Sequence, residues 1–182
     1  MAEQPIIQIR DFFTGYPVGV TSDHTYIHQA KGYELSGLSP SISAGSDWTI
    51  SFQTPADKYV HLRPSGIAST ANSLQMRIAE GSTITGGSTA TPNNRNRNSA
   101  KTSGMTIKTG VTLSVEGTVL QYFQVGTGTN ASSARGGSAD ASAEEWVLKR
   151  NTVYTFRFQN IGATTATVAY YSMFWYEEEE GI

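Results

Sequence analysis

The chain has 182 residues, one domain's worth, with 38% hydrophobic and only 15% charged residues, 18 glycines and no cysteine. The absence of cysteine excludes a disulfide scaffold, a thiolate zinc site and a cysteine nucleophile. The net charge of −2 singles out no partner, but it is unevenly placed: four of the 15 acids are Glu177 to Glu180, which leaves the rest with 13 cations against 11 acids.

Residues 1–32 read as an extended arm. Ile6, Ile7, Ile9, Phe12, Phe13 and Tyr16 follow no helical or strand period, and Pro5, Gly15, Pro17 and Gly19 interrupt the segment. An arm cannot hide such side chains by itself, so it is expected to lie against the body or a neighbouring molecule. The segment lacks the apolar core of a signal peptide, and no stretch of the chain approaches 18 apolar residues. The expectation is a product of the cytosol with no membrane span, in which the sequon Asn130-Ala-Ser132 is a chance match. His24 and His28 are four apart beside Asp23, a metal-chelating spacing on a helix. "DHTYIHQ" reads as non-helical and offers no third ligand, so a polar surface role is expected instead.

From Tyr33 the period becomes two. After "GYELSGL", "DWTISFQT" alternates Trp48, Ile50 and Phe52 against Thr49, Ser51 and Gln53. "KYVHLRP", "SLQMRIAE", "GMTIK", "EWVLK", "TVYTFRFQN" and the aromatic "TATVAYYSMFWYE" continue the pattern. "TVLQYFQVG" is apolar on both sides, as a buried strand is. Turn signals separate the runs: "SAGSD", "TPADK", "PSGIAS", "EGSTITGG", "KRNT" and "NIGATT". About nine short strands without crossover helices predict an all-β fold: a sandwich, a jelly roll or a Greek-key barrel. The body spans 33–177, followed by an acidic tail at 178–182. Two loops are long for such a fold, Gly81 to Ser103 and Gly126 to Ala143.

Catalytic signatures are missing. Asp47, Asp57, Glu80 and Glu144–Glu145 sit beside turns and strand ends, where acids serve the backbone, and no GxSxG elbow or phosphate-binding loop appears. The expectation is a protein that is not an enzyme and takes no cofactor. "TPNNRNRNSAKTSG" (Thr91 to Gly104) carries Arg95, Arg97 and Lys101 with no acid. Phosphate could be its partner, yet no aromatic residue lies between Gly81 and Gly104 to stack a base, so direct nucleic-acid binding is not expected. Asparagine tolerates left-handed backbone and bonds to nearby main chain; arginine offers planar, multi-donor contacts. Asn94, Arg95, Asn96, Arg97 and Lys101 therefore read as an ordered loop facing protein, with a neighbour's acids or the Glu177–Glu180 run as partner, although such a run is usually solvated. Phe174, Trp175 and Tyr176 could line a sugar platform, but in a final strand they are more often core or interface.

"NRNRNSAKTSGMTI", "GTVL", "EWVLKRNTVYTFRFQNIG" and the closing "FWYEEE" resemble the small β-rich head decoration, or cement, proteins of tailed bacteriophages, over roughly Trp48 to Glu178. The resemblance implies a jelly-roll-like antiparallel sandwich of about eight to nine strands with an extended N-terminal arm. It implies a homotrimer made in the host cytoplasm and bound to the virion exterior at three-fold positions. There it clamps the phage major capsid protein against the pressure of packaged DNA, with no catalytic residue, cofactor, membrane or nucleic-acid contact. The interface candidates, to capsid or trimer mate, are Ile6, Ile7, Ile9, Phe12, Phe13, Tyr16, Asn94, Arg95, Asn96, Arg97 and Lys101. The alternative is a glycan- or receptor-binding domain of a phage fibre or tail.

Overall fold

The computed structural model describes residues 22–70, 73–125, 135–137, 145–163 and 165–179. A helix, α1 (Ser22–His28), is followed by β1 (Gly32–Leu38), β2 (Asp47–Gln53), β3 (Lys58–Ser69), β4 (Leu74–Glu80), β5 (Thr83–Thr85), β6 (Ser88–Ala90) and β7 (Asn93–Asn94). Then come β8 (Thr106–Thr109), β9 (Thr112–Val115), β10 (Thr118–Val125), β11 (Arg135–Gly137), β12 (Trp146–Leu148), β13 (Val153–Asn160) and β14 (Ala169–Glu179). All strand pairings among these residues are antiparallel. The front sheet has the order β11-β3-β14-β1-β7 with β12 also on β3, the back sheet the order β10-β4-β13-β2-β8-β6, and β5 and β9 form a separate ribbon. The fold is an all-β sandwich, as expected from the period of two.

Alternation places the core. Ile50 and Phe52 of β2, Met76 and Ile78 of β4, Tyr154, Phe156 and Phe158 of β13, and Met173 and Trp175 of β14 are buried together. Thr49, Ser51 and Thr155, on the opposite face of the back sheet, are buried as well. The reason is a third layer: the ends of the β5–β9 ribbon reach this face through Ser82, bonded to Thr155 (2.9 Å), and Glu116, paired with Arg77 (3.1 Å) and Arg157 (3.5 Å).

The structure corrects four expectations. "DHTYIHQ" contributes to a helix, α1, too short at seven residues to show a period of 3.6. "PSGIAS" is the second half of the 12-residue strand β3 rather than a turn. Pro64 pairs with Met173 and Gly66 with Ser172, so Ser65 is the extra residue of a bulge, which lets a strand carry a proline. β10 is an edge strand with Tyr122 62% exposed, not a buried one. The acids Glu177 to Glu179 belong to β14, and Glu177 is buried. The strands exceed nine because β5, β6, β7 and β11 are two or three residues long, too short for alternation to mark.

Candidate interaction surface

α1 is too short to persist alone, because isolated helices need about 12–15 residues even in favourable sequences. It is held on the outer face of the front sheet. Along β14, Met173 and Trp175 point into the sandwich, so Phe174 and Tyr176 point outward, yet both are buried. α1 covers them. Tyr26 stacks on Tyr176 (ring centroids 3.9 Å apart), and a Cβ on Gly32 would lie 3.3 Å from both Ile27 and Phe174.

The C-terminal end of the helix is closed by two devices. Ala30 takes a left-handed conformation (φ 56°), Lys31 N–H donates to the Tyr26 carbonyl (2.9 Å), and Ala30 N–H to that of Ile27 (3.0 Å). This is a Schellman closure with alanine where glycine is usual. The second device is the asparagine-rich loop. Asn94 Nδ2 donates to the Ala30 carbonyl (3.1 Å), Asn96 Nδ2 to that of His28 (3.3 Å) and Lys101 Nζ to that of Gln29 (3.4 Å). The loop thus satisfies carbonyls that a helix end leaves without partners. Its own shape follows from Asn94 Oδ1 accepting from Asn96 N–H (2.9 Å) and Asn96 Oδ1 from Asn98 N–H (3.2 Å). Arg95 lies over the Phe174 ring (4.7 Å) with Glu34 at 3.8 Å, and Arg97 donates to Asn93 (3.2 Å).

The far end of the same loop is fastened by the buried Glu177. Its carboxylate accepts from Ser103 Oγ (2.6 Å), Gly104 N–H (2.9 Å) and Trp175 Nε1 (3.3 Å), with Lys58 at 3.5 Å. The Glu177–Glu180 run, one of the two partners expected for this loop, thus meets it through Glu177, which is internal rather than solvated.

Beside α1, β3, β14 and the residue before β12 assemble a polar and aromatic cluster. Glu145 accepts from Arg63 Nη2 (2.6 Å) and Tyr176 Oη (2.7 Å), and lies 2.8 Å from His61 Nδ1. His61 stacks on Tyr176 (4.3 Å), and its Nε2 is 3.4 Å from Glu178, which accepts the Tyr26 hydroxyl. Burial pushes the Glu145 carboxyl up, but the hydrogen bonds from Tyr176, His61 and Arg63 together hold it below the usual carboxylate range. Burial first, then the bond to Glu178, pushes the Tyr26 hydroxyl up to about 12. Burial and Glu145 raise Tyr176 in the same direction. The cluster locks the helix down.

The candidates therefore meet their own chain first. Asn94, Asn96 and Lys101 spend side-chain donors on the end of α1, while Arg95 and Arg97 keep exposed donors beside β1 and β7. Ile6, Ile7, Ile9, Phe12, Phe13 and Tyr16 lie outside the described residues. Phe174, Trp175 and Tyr176 are buried, so they form no sugar platform. The rings of His24 and His28 are 4.4 Å apart, but among the described residues no group of three His, Cys, Asp or Glu could hold a metal. Tyr26, His61, Arg63 and Glu145 escape sequence reasoning because they come from three separate segments, α1, β3 and the residue before β12. The one available signal is the run of buried outward residues in β14, which implies a covering element. No family model matches the chain, no curated protein matches its sequence, and no solved structure matches its fold.

Proposed function

We propose that the chain is a non-enzymatic structural protein of a virion, a decoration protein that binds the outside of a phage capsid as a trimer at three-fold positions. The observation that carries this reading is the convergence of the segments that resemble cement proteins. Arg95 of "NRNRN" covers Phe174 of "FWYEEE", Ser103 and Gly104 hold Glu177, and Glu145 of "EWVLK" accepts from Tyr176. Three sequence blocks that lie far apart in the chain build one surface, and that surface grips the helix into which the apolar segment Ile6 to Tyr16 leads. A rigid sandwich with a firmly seated arm root suits a clamp that carries load between capsid subunits.

Binding only to the assembled shell stabilises it by mass action, by about 2.7 kcal/mol per site at a hundredfold excess over Kd. The test is light scattering coupled to size exclusion, followed by co-sedimentation with empty heads of the phage that encodes the chain. Trimers that saturate the heads are expected. A monomer that stays in the supernatant at micromolar concentration overturns the reading.

A further inference from the structure

A second surface lies at the mouth of the sandwich, where the end of β1 faces β2, β6 and β8. A cleft of about 520 Å³ opens there, lined by Leu38, Pro40, Trp48, Ser88, Thr109 and Tyr171 among others, none of them charged. Trp48 and Tyr171 form its aromatic wall, with ring centroids 5.5 Å apart, and Tyr171 rests on Phe158 (5.9 Å). Tyr171 is 93% buried by its residual exposure of 7%.

Both rings carry polar tips that have no protein partner among the described residues. Among the described residues neither the Trp48 indole N–H nor the Tyr171 hydroxyl makes a hydrogen bond, and neither is sealed from solvent. Tyr171 is buried and Trp48 half-buried, and both tips open into the cleft, where a ligand's polar groups can complete them. The place of the hydroxyl is kept clear by Gly37, where a Cβ would lie 2.7 Å from Tyr171 Oη. Ser88 and Thr109 add hydroxyls on the opposite rim. At the outer edge the exposed pair Leu38 (65%) and Tyr170 (43%), directly opposite each other in β1 and β14, extends the apolar surface.

We infer that this cleft is a binding site for a neutral carbohydrate, a hexose or N-acetylhexosamine unit within an oligosaccharide. A pyranose has one face of C–H groups, which suits the electron-rich face of an indole. Its hydroxyls both donate and accept, as the Tyr171 hydroxyl, the Ser88 and Thr109 hydroxyls and the Trp48 donor require. The absence of charge from the lining disfavours phosphate, nucleotide and acidic sugar, each of which needs a cation. The volume is that of ordinary small-ligand sites, and the open, mostly polar lining suits a hydroxylated ligand better than an apolar one. The site is independent of the capsid reading: it is on another part of the molecule and shares no residue with the surface that holds α1.

The full-length protein is to be probed by saturation-transfer NMR with chitotriose, cellotriose, maltotriose and lactose, with a peptide of residues 4–17 run in parallel. Transfer to one face of a sugar ring is expected for at least one neutral oligosaccharide. Trp48→Ala should abolish it. Tyr171→Phe, which keeps the ring and the fold, should weaken binding roughly fivefold, the worth of one neutral hydrogen bond. No transfer from any sugar, or transfer unchanged in Tyr171→Phe, overturns the inference. So does Trp48-dependent binding of the peptide with no sugar bound, which makes the cleft a dock for the arm.

Discussion

Gly117 has φ +78°, and a Cβ there would lie 2.1 Å from the Glu80 carbonyl oxygen. Gly81 has nearly the same φ (+73°) but open space around its Cβ position. Left-handed backbone costs a non-glycine residue about 1–2 kcal/mol, so Gly81→Ala should lose about that much in urea unfolding. Gly117→Ala should lose at least ~2 kcal/mol more, on the scale of overpacking, because the turn must shift and carry Glu116 away from Arg77 and Arg157. Equal losses would show that the close approach is relieved elsewhere. Glu145 gives the corresponding electrostatic prediction. Its carboxyl is held below the usual 4.5, so its contribution is present above that pH and is lost as the pH falls through the lowered value. Stability curves of wild type and Glu145→Gln should differ by about 1–2 kcal/mol at pH 7, discounted for partial exposure, and converge as the pH falls through that lowered value. The Tyr26 hydroxyl acts with opposite sign. Its folded value is raised from 10 to about 12, so its contribution is complete below pH 10 and disappears as the pH rises towards 12.

α1 is the element most dependent on others, since nothing in seven residues sustains it. Removing the Tyr26 ring by Tyr26→Ala should release it locally, with amide exchange at Gln29, Ala30 and Lys31 accelerating at least tenfold while β13 and β14 keep their protection. Asn94→Ala should do the same by removing the amide donor shared by the Ala30 and Lys101 carbonyls (3.1 Å each), which leaves Ala30 only the longer bond from the Tyr33 hydroxyl (3.4 Å), at about 1–3 kcal/mol. Unchanged exchange in both variants would mean that the helix is held by contacts other than these. The same element shows where sequence reading works and where it stops. β2, β4 and β13 are long enough for alternation to mark them, and their inward residues are the core. β10 has the apolar content of a buried strand but lies at an edge, because hydrophobicity reports burial and not position in a sheet. Pro64 reads as a break, yet a bulge in the β3–β14 pairing absorbs it. Glu177 belongs to the acidic run offered as a partner of the asparagine-rich loop, but its burial among donors from residues 103, 104 and 175 is not legible, because no local pattern encodes a contact 74 residues away. The asparagine-rich loop is legible as ordered and protein-facing. Its other partner, the end of a helix of about two turns, is not.

For the molecule as a whole, the proposed capsid role separates folding from attachment. Among the described residues the core is built from side chains between Tyr33 and Trp175. On this reading the arm serves attachment, so deleting residues 1–21 should leave the melting temperature within a few degrees and yet abolish co-sedimentation with heads. Arg95→Ala with Arg97→Ala probes the other candidate contact. Within the chain these side chains make exposed interactions worth under about 1 kcal/mol each, so the fold should survive the pair. If the loop meets a trimer mate, the double variant becomes monomeric and loses avidity, which amounts to 10²–10⁴ for linked sites; shell binding then falls at least a hundredfold along with the trimer. If it meets the capsid, the trimer persists and each of three feet is weakened, so a loss of even 1 kcal/mol per foot multiplies to a loss of about 3 kcal/mol, roughly 150-fold. Light scattering distinguishes the two cases at equal binding loss. A double variant that remains trimeric and binds heads as tightly as wild type limits both arginines to supporting the surface over Phe174 and Asn93, and leaves the arm as the attachment.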